Sequence, residues 1–146
     1  MTERHDARPL PVAQPESDFY WEKARQHELW LRMCVDCDRT YFYPRDICPR
    51  CFSRNTTWVR SDGRGVVHTF VIVHRAPTPA FRGAVPYVAA IVELAGGARI
   101  PTNLVNVEPR PDKLTVGMSV VVTFADITDQ VSLPVFEPEP MAGESR

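Results

Sequence analysis

Nothing in this sequence is apolar for long enough to cross a bilayer. The segment Met1–Gln14 carries charges where a secretory leader would need its apolar stretch. Together these features lead to the expectation of a cytoplasmic protein. The chain also has no basic surplus: 17 Lys and Arg face 18 Asp and Glu, for a net charge of -1. That balance speaks against a general nucleic-acid binder, which draws most of its affinity from phosphate contacts. There is no strand–Gly-x-Ser-x-Gly turn, no phosphate loop and no dinucleotide fingerprint, so the common nucleophilic and nucleotide-dependent enzyme classes have no foothold. No internal repeat or low-complexity segment is present. With 146 residues, one small domain or two compact modules can form, but not two large cores.

Cysteine is scarce, and its placement is informative. All four lie in one short stretch, Cys34-Val-Asp-Cys37 and Cys48-Pro-Arg-Cys51, with ten residues between the pairs. Two residues between cysteines allow a tight knuckle to aim both sulfurs at one point. Two such knuckles complete a tetrahedral four-thiolate site. In a reducing compartment this pattern points to a metal and not to disulfides. Soft sulfur donors select zinc or iron over magnesium or calcium. A redox dithiol would use a single Cys-x-x-Cys beside a βαβ pattern, and none is present. An iron-loaded electron carrier of rubredoxin type usually has glycine after each knuckle and a longer gap between them. Here Asp38 and Phe52 occupy those positions, which favours zinc. Asp tolerates positive φ, whereas Phe resists it, so a distorted or different second knuckle is expected at Phe52. With four protein thiolates the metal would have no open position, which makes its role structural.

Around the knuckles the sequence divides as follows. Residues 1–15, with Pro9, Pro11 and Pro15, read as a disordered arm. Residues 16–33 hold a short helix, capped by Ser17 or Asp18 and running to about His27, followed by a lead-in strand with Leu29, Leu31 and Met33 on one side. Residues 34–57 form the metal ribbon. Residues 58–138 read as all-β: strands over Val66–Val73, Tyr87–Leu94, Arg99–Asn103, Val120–Asp126 and Leu133–Glu137, with a tight turn at Gly96-Gly97. Residues 139–146 are a polar tail. Five strands in about 75 residues suggest a closed barrel of OB-fold type, mainly β overall. Pro109 and Pro111 limit any helix between strands three and four to a single turn.

Few residues outside the cysteines are placed for chemistry. Phe19, Tyr20 and Trp21 crowd the helix with aromatics that need a partner, from this chain or another. His74, Arg75, Phe81 and Arg82 sit in the connection after the first barrel strand, at the usual ligand mouth of such a barrel. The arginines there suit an anion and Phe81 an apolar group. A solvated, proline-stiffened loop accounts for them equally well. His68 reads as a half-exposed sheet residue, His5 and His27 as surface residues, and Asp126 with Asp129 as a turn.

The ordered set of Phe19-Tyr20-Trp21, the two knuckles with Cys48-Pro49, Gly63-Arg64-Gly65-Val66-Val67-His68-Thr69-Phe70 and Val73-His74-Arg75-Ala76-Pro77 resembles a known family. The match continues through Pro86-Tyr87-Val88, Val92-Glu93-Leu94, Thr102-Asn103-Leu104-Val105, Val116-Gly117-Met118 and Leu133-Pro134. These residues resemble the OB-fold, acyl-CoA-associated proteins with an N-terminal rubredoxin-like zinc ribbon. The resemblance implies a zinc-binding accessory subunit, non-catalytic by itself, in a hetero-oligomer with thiolase-like or ketoacyl-synthase-like catalytic chains. It implies support for acyl transfer, including C-acetylation in polyketide-type secondary metabolism, and a place beside an acyl-CoA or pantetheine channel. A single-stranded nucleic-acid-binding module is the alternative, since ribbons and OB barrels both serve that use elsewhere.

Overall fold

The computed structural model describes residues 8–140. The first seven residues of the N-terminal arm, His5 among them, together with the end of the tail, lie outside the described residues. One helix, α1 (Asp18–Arg25), leads into a ribbon of three strands, β1 (Trp30–Cys34), β2 (Arg39–Tyr41) and β3 (Thr56–Arg60). Five more strands follow: β4 (Arg64–Val73), β5 (Tyr87–Leu94), β6 (Arg99–Leu104), β7 (Ser119–Asp126) and β8 (Ser132–Pro138). The ribbon sheet has the order β2-β1-β3, and the remaining strands close into a barrel in the order β4-β5-β6-β8-β7. All neighbours are antiparallel except β6 and β8, which meet in parallel at Leu104 and Phe136. This is the OB-fold connectivity that the strand pattern implied.

Alternation explains the barrel wall. Along β5, Val88, Ala90, Val92 and Leu94 point inward and are buried, while Tyr87, Ala89, Ile91 and Glu93 face outward. Their inward partners are Val67, Ile100, Leu104, Val120 and Phe136, the last with no exposed surface. The barrel core does not stop at the barrel. Tyr20 from α1 and Leu29 and Leu31 from the lead into β1 belong to the same buried cluster. A single turn of 3-10 helix at Pro111–Lys113 stands where prolines excluded a longer helix.

Three features differ from the sequence expectation. The helix ends at Arg25, two residues short of His27, and Ser17 at its N-cap makes no capping bond to the helix. The Ser17 hydroxyl instead accepts a hydrogen bond from the backbone amide of Gln14 at 3.0 Å. The arm is placed from Arg8 onward, where the Arg8 guanidinium lies 4.7 Å from the centre of the Phe81 ring. His27 is more than a surface residue. At φ 62° it stacks on Phe124, ring centres 5.0 Å apart, and its Nε2 lies 2.8 Å from Asp126 Oδ1, tying the end of the helix segment to β7.

Candidate metal centre

The two knuckles are near copies of each other. In the first, the amide of Cys37 donates to Cys34 Sγ at 3.3 Å and the amide of Asp38 to the Cys34 carbonyl at 2.8 Å. In the second, the amide of Arg50 donates to Cys48 Sγ at 3.3 Å and the amide of Phe52 to the Cys48 carbonyl at 2.9 Å. The residue after each knuckle has positive φ, 57° at Asp38 and 64° at Phe52. The expected distortion at Phe52 is therefore absent. The second knuckle closes in the same way as the first, and the Phe52 side chain, 75% exposed, meets no protein wall that would oppose it. What remains is backbone strain on the order of 1–3 kcal/mol.

The four sulfurs lie within 4.8 Å of one another. Cys34 and Cys51 are 3.6 Å apart, and Cys37 and Cys48 are 3.9 Å apart. A tetrahedral cage with zinc–sulfur bonds of about 2.3 Å requires sulfurs about 3.8 Å apart, so the spacing fits a four-coordinate ion. It is too long for a disulfide, and all four cysteines are free. The electrostatics agree. Crowding of sulfurs pushes the Cys37 thiol up to about 12, chiefly through its hydrogen bond with Cys51 and burial. Backbone amides of Cys51 and Arg50 bring Cys48 down to about 7. Burial raises Cys34. Four thiolates at this spacing repel each other unless a cation sits among them, and the backbone N–H groups already point at two of the sulfurs.

A brace joins the knuckles from outside. Asp36 accepts hydrogen bonds from Ser53 Oγ at 2.6 Å and from Asn55 Nδ2 at 3.2 Å. These donors hold its carboxyl below the usual carboxylate range, with Ser53 the larger cause. Replacing Asp36 with Ala is expected to leave the four ligands in place and to weaken zinc affinity about tenfold, as loss of an outer-shell partner does at other metal sites. Competition with a chromogenic chelator measures it, and an unchanged affinity would remove Asp36 from that role.

The other candidate residues do not form one site. Tyr20 is 2% exposed and belongs to the shared core, so it is not a partner-facing residue. Phe19 and Trp21 are half-buried. Phe19 packs against Trp30 and Trp58, and Trp21 Nε1 donates to the Tyr43 hydroxyl at 2.9 Å. Most of the aromatic surface that needed a partner thus finds it within this chain. Phe81 packs against Tyr87 at 5.8 Å and lines a cavity of about 200 Å3 at the barrel mouth, with Leu104, Ile127 and Val135. His74, Arg75 and Arg82 are exposed and do not line it. His27, Asp126 and Ser132 meet, but Asp126 stands between the other two, accepting from both. A nucleophile needs the imidazole in that middle position, so this trio serves structure.

The outer face of β4, β5 and β6, where OB barrels bind single strands, presents Thr69, Val71, Ala89, Ile91 and Pro101. Bases stack on exposed aromatics and phosphates seek cations; those five residues offer neither, while Phe70 at the same cavity is half-buried against the core and Tyr87, at the start of β5, packs on Phe81.

Thr40 was not singled out by sequence. Its amide donates to the Gly96 carbonyl at 3.1 Å and its hydroxyl to the Ala95 carbonyl at 3.1 Å, and the hydroxyl accepts from the Ala98 amide at 3.1 Å. One ribbon residue thereby fastens β2 to the β5–β6 turn. No local signal in the sequence announces a contact between segments so far apart.

Comparison with known proteins gives two matching family models in tandem. Residues 21–57 match the rubredoxin-like zinc ribbon domain of ChsH2, and residues 58–125 match its C-terminal OB-fold domain. A "DUF35 domain-containing scaffold protein" of Methanocaldococcus jannaschii is 39% identical over 98 residues, covering 66% of this chain and 67% of the relative. The "Probable enoyl-CoA hydratase alpha subunit" of Thermomonospora curvata is 37% identical over 131 residues, 90% of this chain. The chain spans only 40% of the length of that subunit. Among solved structures, the one titled "Ltp2-ChsH2(DUF35) aldolase" superposes with a TM-score of 0.74 at 37% identity, covering 88% of this chain and 98% of that one. A DUF35 structure from Sulfolobus solfataricus, at 16% identity and a TM-score of 0.59, shares the fold.

Proposed function

The chain belongs to the ChsH2/DUF35 family of zinc ribbons joined to OB-folds, and from that membership we propose that it is a non-catalytic scaffold subunit. In this reading it assembles with a thiolase-like catalytic chain and supports acyl transfer carried out there. One observation carries the proposal. The fold matches 98% of a chain of the Ltp2-ChsH2(DUF35) aldolase, a structure named for two components. The chemistry of the chain itself supports the same reading. Its cysteines are gathered into the cage, and the His27–Asp126–Ser132 contact has the wrong order for catalysis.

Cys34, Cys37, Cys48 and Cys51 would hold zinc. When bound, that ion supplies a closed tetrahedral cross-link and no Lewis-acid position for substrate. To the assembly this chain would contribute geometry: a barrel, a ribbon fixed to it through Thr40, and the half-buried Phe19 and Trp21 at the ribbon–helix surface. The size and layout resemble the small subunit of the three-component bacterial acetyltransferase that acts on monoacetylphloroglucinol. C-acetylation is therefore the first reaction to test. Acyl-CoA or pantetheine would run in a channel that this chain helps to shape.

Affinity purification of the chain from its native host, with mass spectrometry of what co-purifies, tests the reading. A stoichiometric thiolase-like or ketoacyl-synthase-like chain is expected, and the isolated chain should transfer no acyl groups. Recovery of nucleic acid without any condensing enzyme would overturn the proposal. The colour of the same preparation separates zinc from iron: a colourless protein is expected, whereas an iron–thiolate site would absorb visible light.

A further inference from the structure

Where the ribbon meets the barrel, three arginines border one cavity of about 370 Å3. Arg39 comes from β2, Arg50 from inside the second knuckle, and Arg99 from the first residue of β6. Arg99 Nε lies 2.9 Å from Glu93 Oε1. Arg39 and Arg50 form no ion pair among the described residues. Three arginines and one carboxylate thus line this cavity in a chain whose net charge is -1.

The groove is built on fixed backbone. Thr40 and Ala98 line it and are joined by the bond from the Ala98 amide to the Thr40 hydroxyl, and the second knuckle fixes the backbone of Arg50. Arg39 reaches over the turn: a Cβ placed on Gly97 would lie 3.5 Å from its Nη1. At the far end Phe42 borders this cavity and also an adjoining one of about 150 Å3, which is lined by Trp21, Ile100 and Leu133.

We propose that this groove binds the diphosphate of a small ligand. Guanidinium forks recognise phosphate oxygens in pairs. A diphosphate places its charges within a few ångströms, which suits three arginines that border one concavity from separate elements. Carboxylates on a polypeptide are strung out along a chain and fit a flatter surface. The volume lies in the range of small-ligand sites, roughly 300–1,000 Å3. The remainder of the ligand would run over Phe42 toward Ile100. Nucleoside diphosphates and coenzyme A thioesters share this chemistry. The site belongs to the chain alone, so the proposal does not depend on the scaffold reading.

Titration calorimetry on the full metal-loaded chain tests it, with inorganic pyrophosphate, ADP, coenzyme A and hexaglutamate as probes. The diphosphates should bind and weaken as salt rises. Arg39→Ala and Arg99→Gln should each weaken that binding about tenfold while the metal and Tm stay in place, a loss typical of one charge-assisted contact. Arg110→Ala, on the distant Pro111 turn, should change nothing. Tighter binding of coenzyme A than of ADP identifies a thioester carrier as the source, and equal binding a nucleotide. Either result supports the site. It is overturned if no diphosphate binds, if both arginine variants bind as well as the parent, or if hexaglutamate binds as tightly as ADP.

Discussion

Cys48→Ser is expected to empty the metal centre and melt both knuckles while leaving the barrel folded. The reason is the distribution of buried surface. Val67, Val92, Ile100, Val120 and Phe136 give the barrel its own core, and Tyr20, Leu29 and Leu31 extend that core to the back of the ribbon. The knuckle side of the ribbon buries little besides Cys34, Tyr41 and Cys48, and these residues form a cluster of their own. So small a cluster cannot offset the entropy of ordering residues 34–55. In small zinc peptides the ion supplies roughly 10–16 kcal/mol, enough to decide between folded and unfolded. Serine keeps the shape but replaces the thiolate whose sulfur accepts the Arg50 amide. Zinc should fall from about one per chain to near none. Amide exchange should accelerate across residues 34–55 and stay slow along β5 and β6. Retention of full metal and full protection in the variant would refute a structural role for the cage. Arg50 sits inside the same knuckle, so this variant should also lose diphosphate binding, whereas Arg39→Ala should not lose metal.

The parts of this molecule that were legible in the sequence were those written in local chemistry. β-branched runs marked the longer barrel strands and the Gly96-Gly97 turn marked the one after it, because a strand facing a core must alternate and a turn must break it. The Tyr87–Leu94 strand falls on the limits read from its residues. Cysteine spacing alone carried the knuckles. What escaped depended on contacts distant in sequence or on direction. β2 is three residues long, too short to show a period, and β3 reads Thr-Thr-Trp-Val-Arg, with no alternation of apolar and polar residues. Tyr20 could not be told from Phe19 and Trp21, because consecutive helical residues turn by about 100° and only packing decides which one faces inward. The expectation for Phe52 failed for a different reason. Propensity opposes positive φ in phenylalanine, but a backbone bond to Cys48 and the closure of the knuckle outweigh a preference worth a few kcal/mol at most. The three-arginine groove was invisible because Arg39, Arg50 and Arg99 are brought together only by the ribbon–barrel junction.

That junction is where the second large effect is expected. Gly96→Ala should destabilise the chain by about 3 kcal/mol, combining roughly 1–2 kcal/mol for a Cβ in the left-handed region with the cost of overpacking. Gly96 has φ 91°, and a Cβ built there would lie 2.6 Å from Thr40 Oγ1 and 2.9 Å from Thr40 Cγ2. Thr40 cannot step aside, because its amide and hydroxyl are committed to Gly96, Ala95 and Ala98. For a chain of this size the loss corresponds to roughly 10 °C in Tm. Gly83→Ala is the matched control: nothing lies within 4 Å of its added Cβ, and the change should stay within about 0.5 kcal/mol. Because the clash involves Thr40, adding Thr40→Ala to Gly96→Ala should cost less than the sum of the two single changes. Simple additivity would mean that the ribbon and the barrel turn do not press on each other. The metal cage lies apart from this contact, so zinc should be retained throughout. A Gly96→Ala protein that keeps its zinc but loses its partner in the affinity experiment would separate two properties of a scaffold. In that outcome the cage would account for the folding of the ribbon, and the Thr40 junction for the direction in which it is presented.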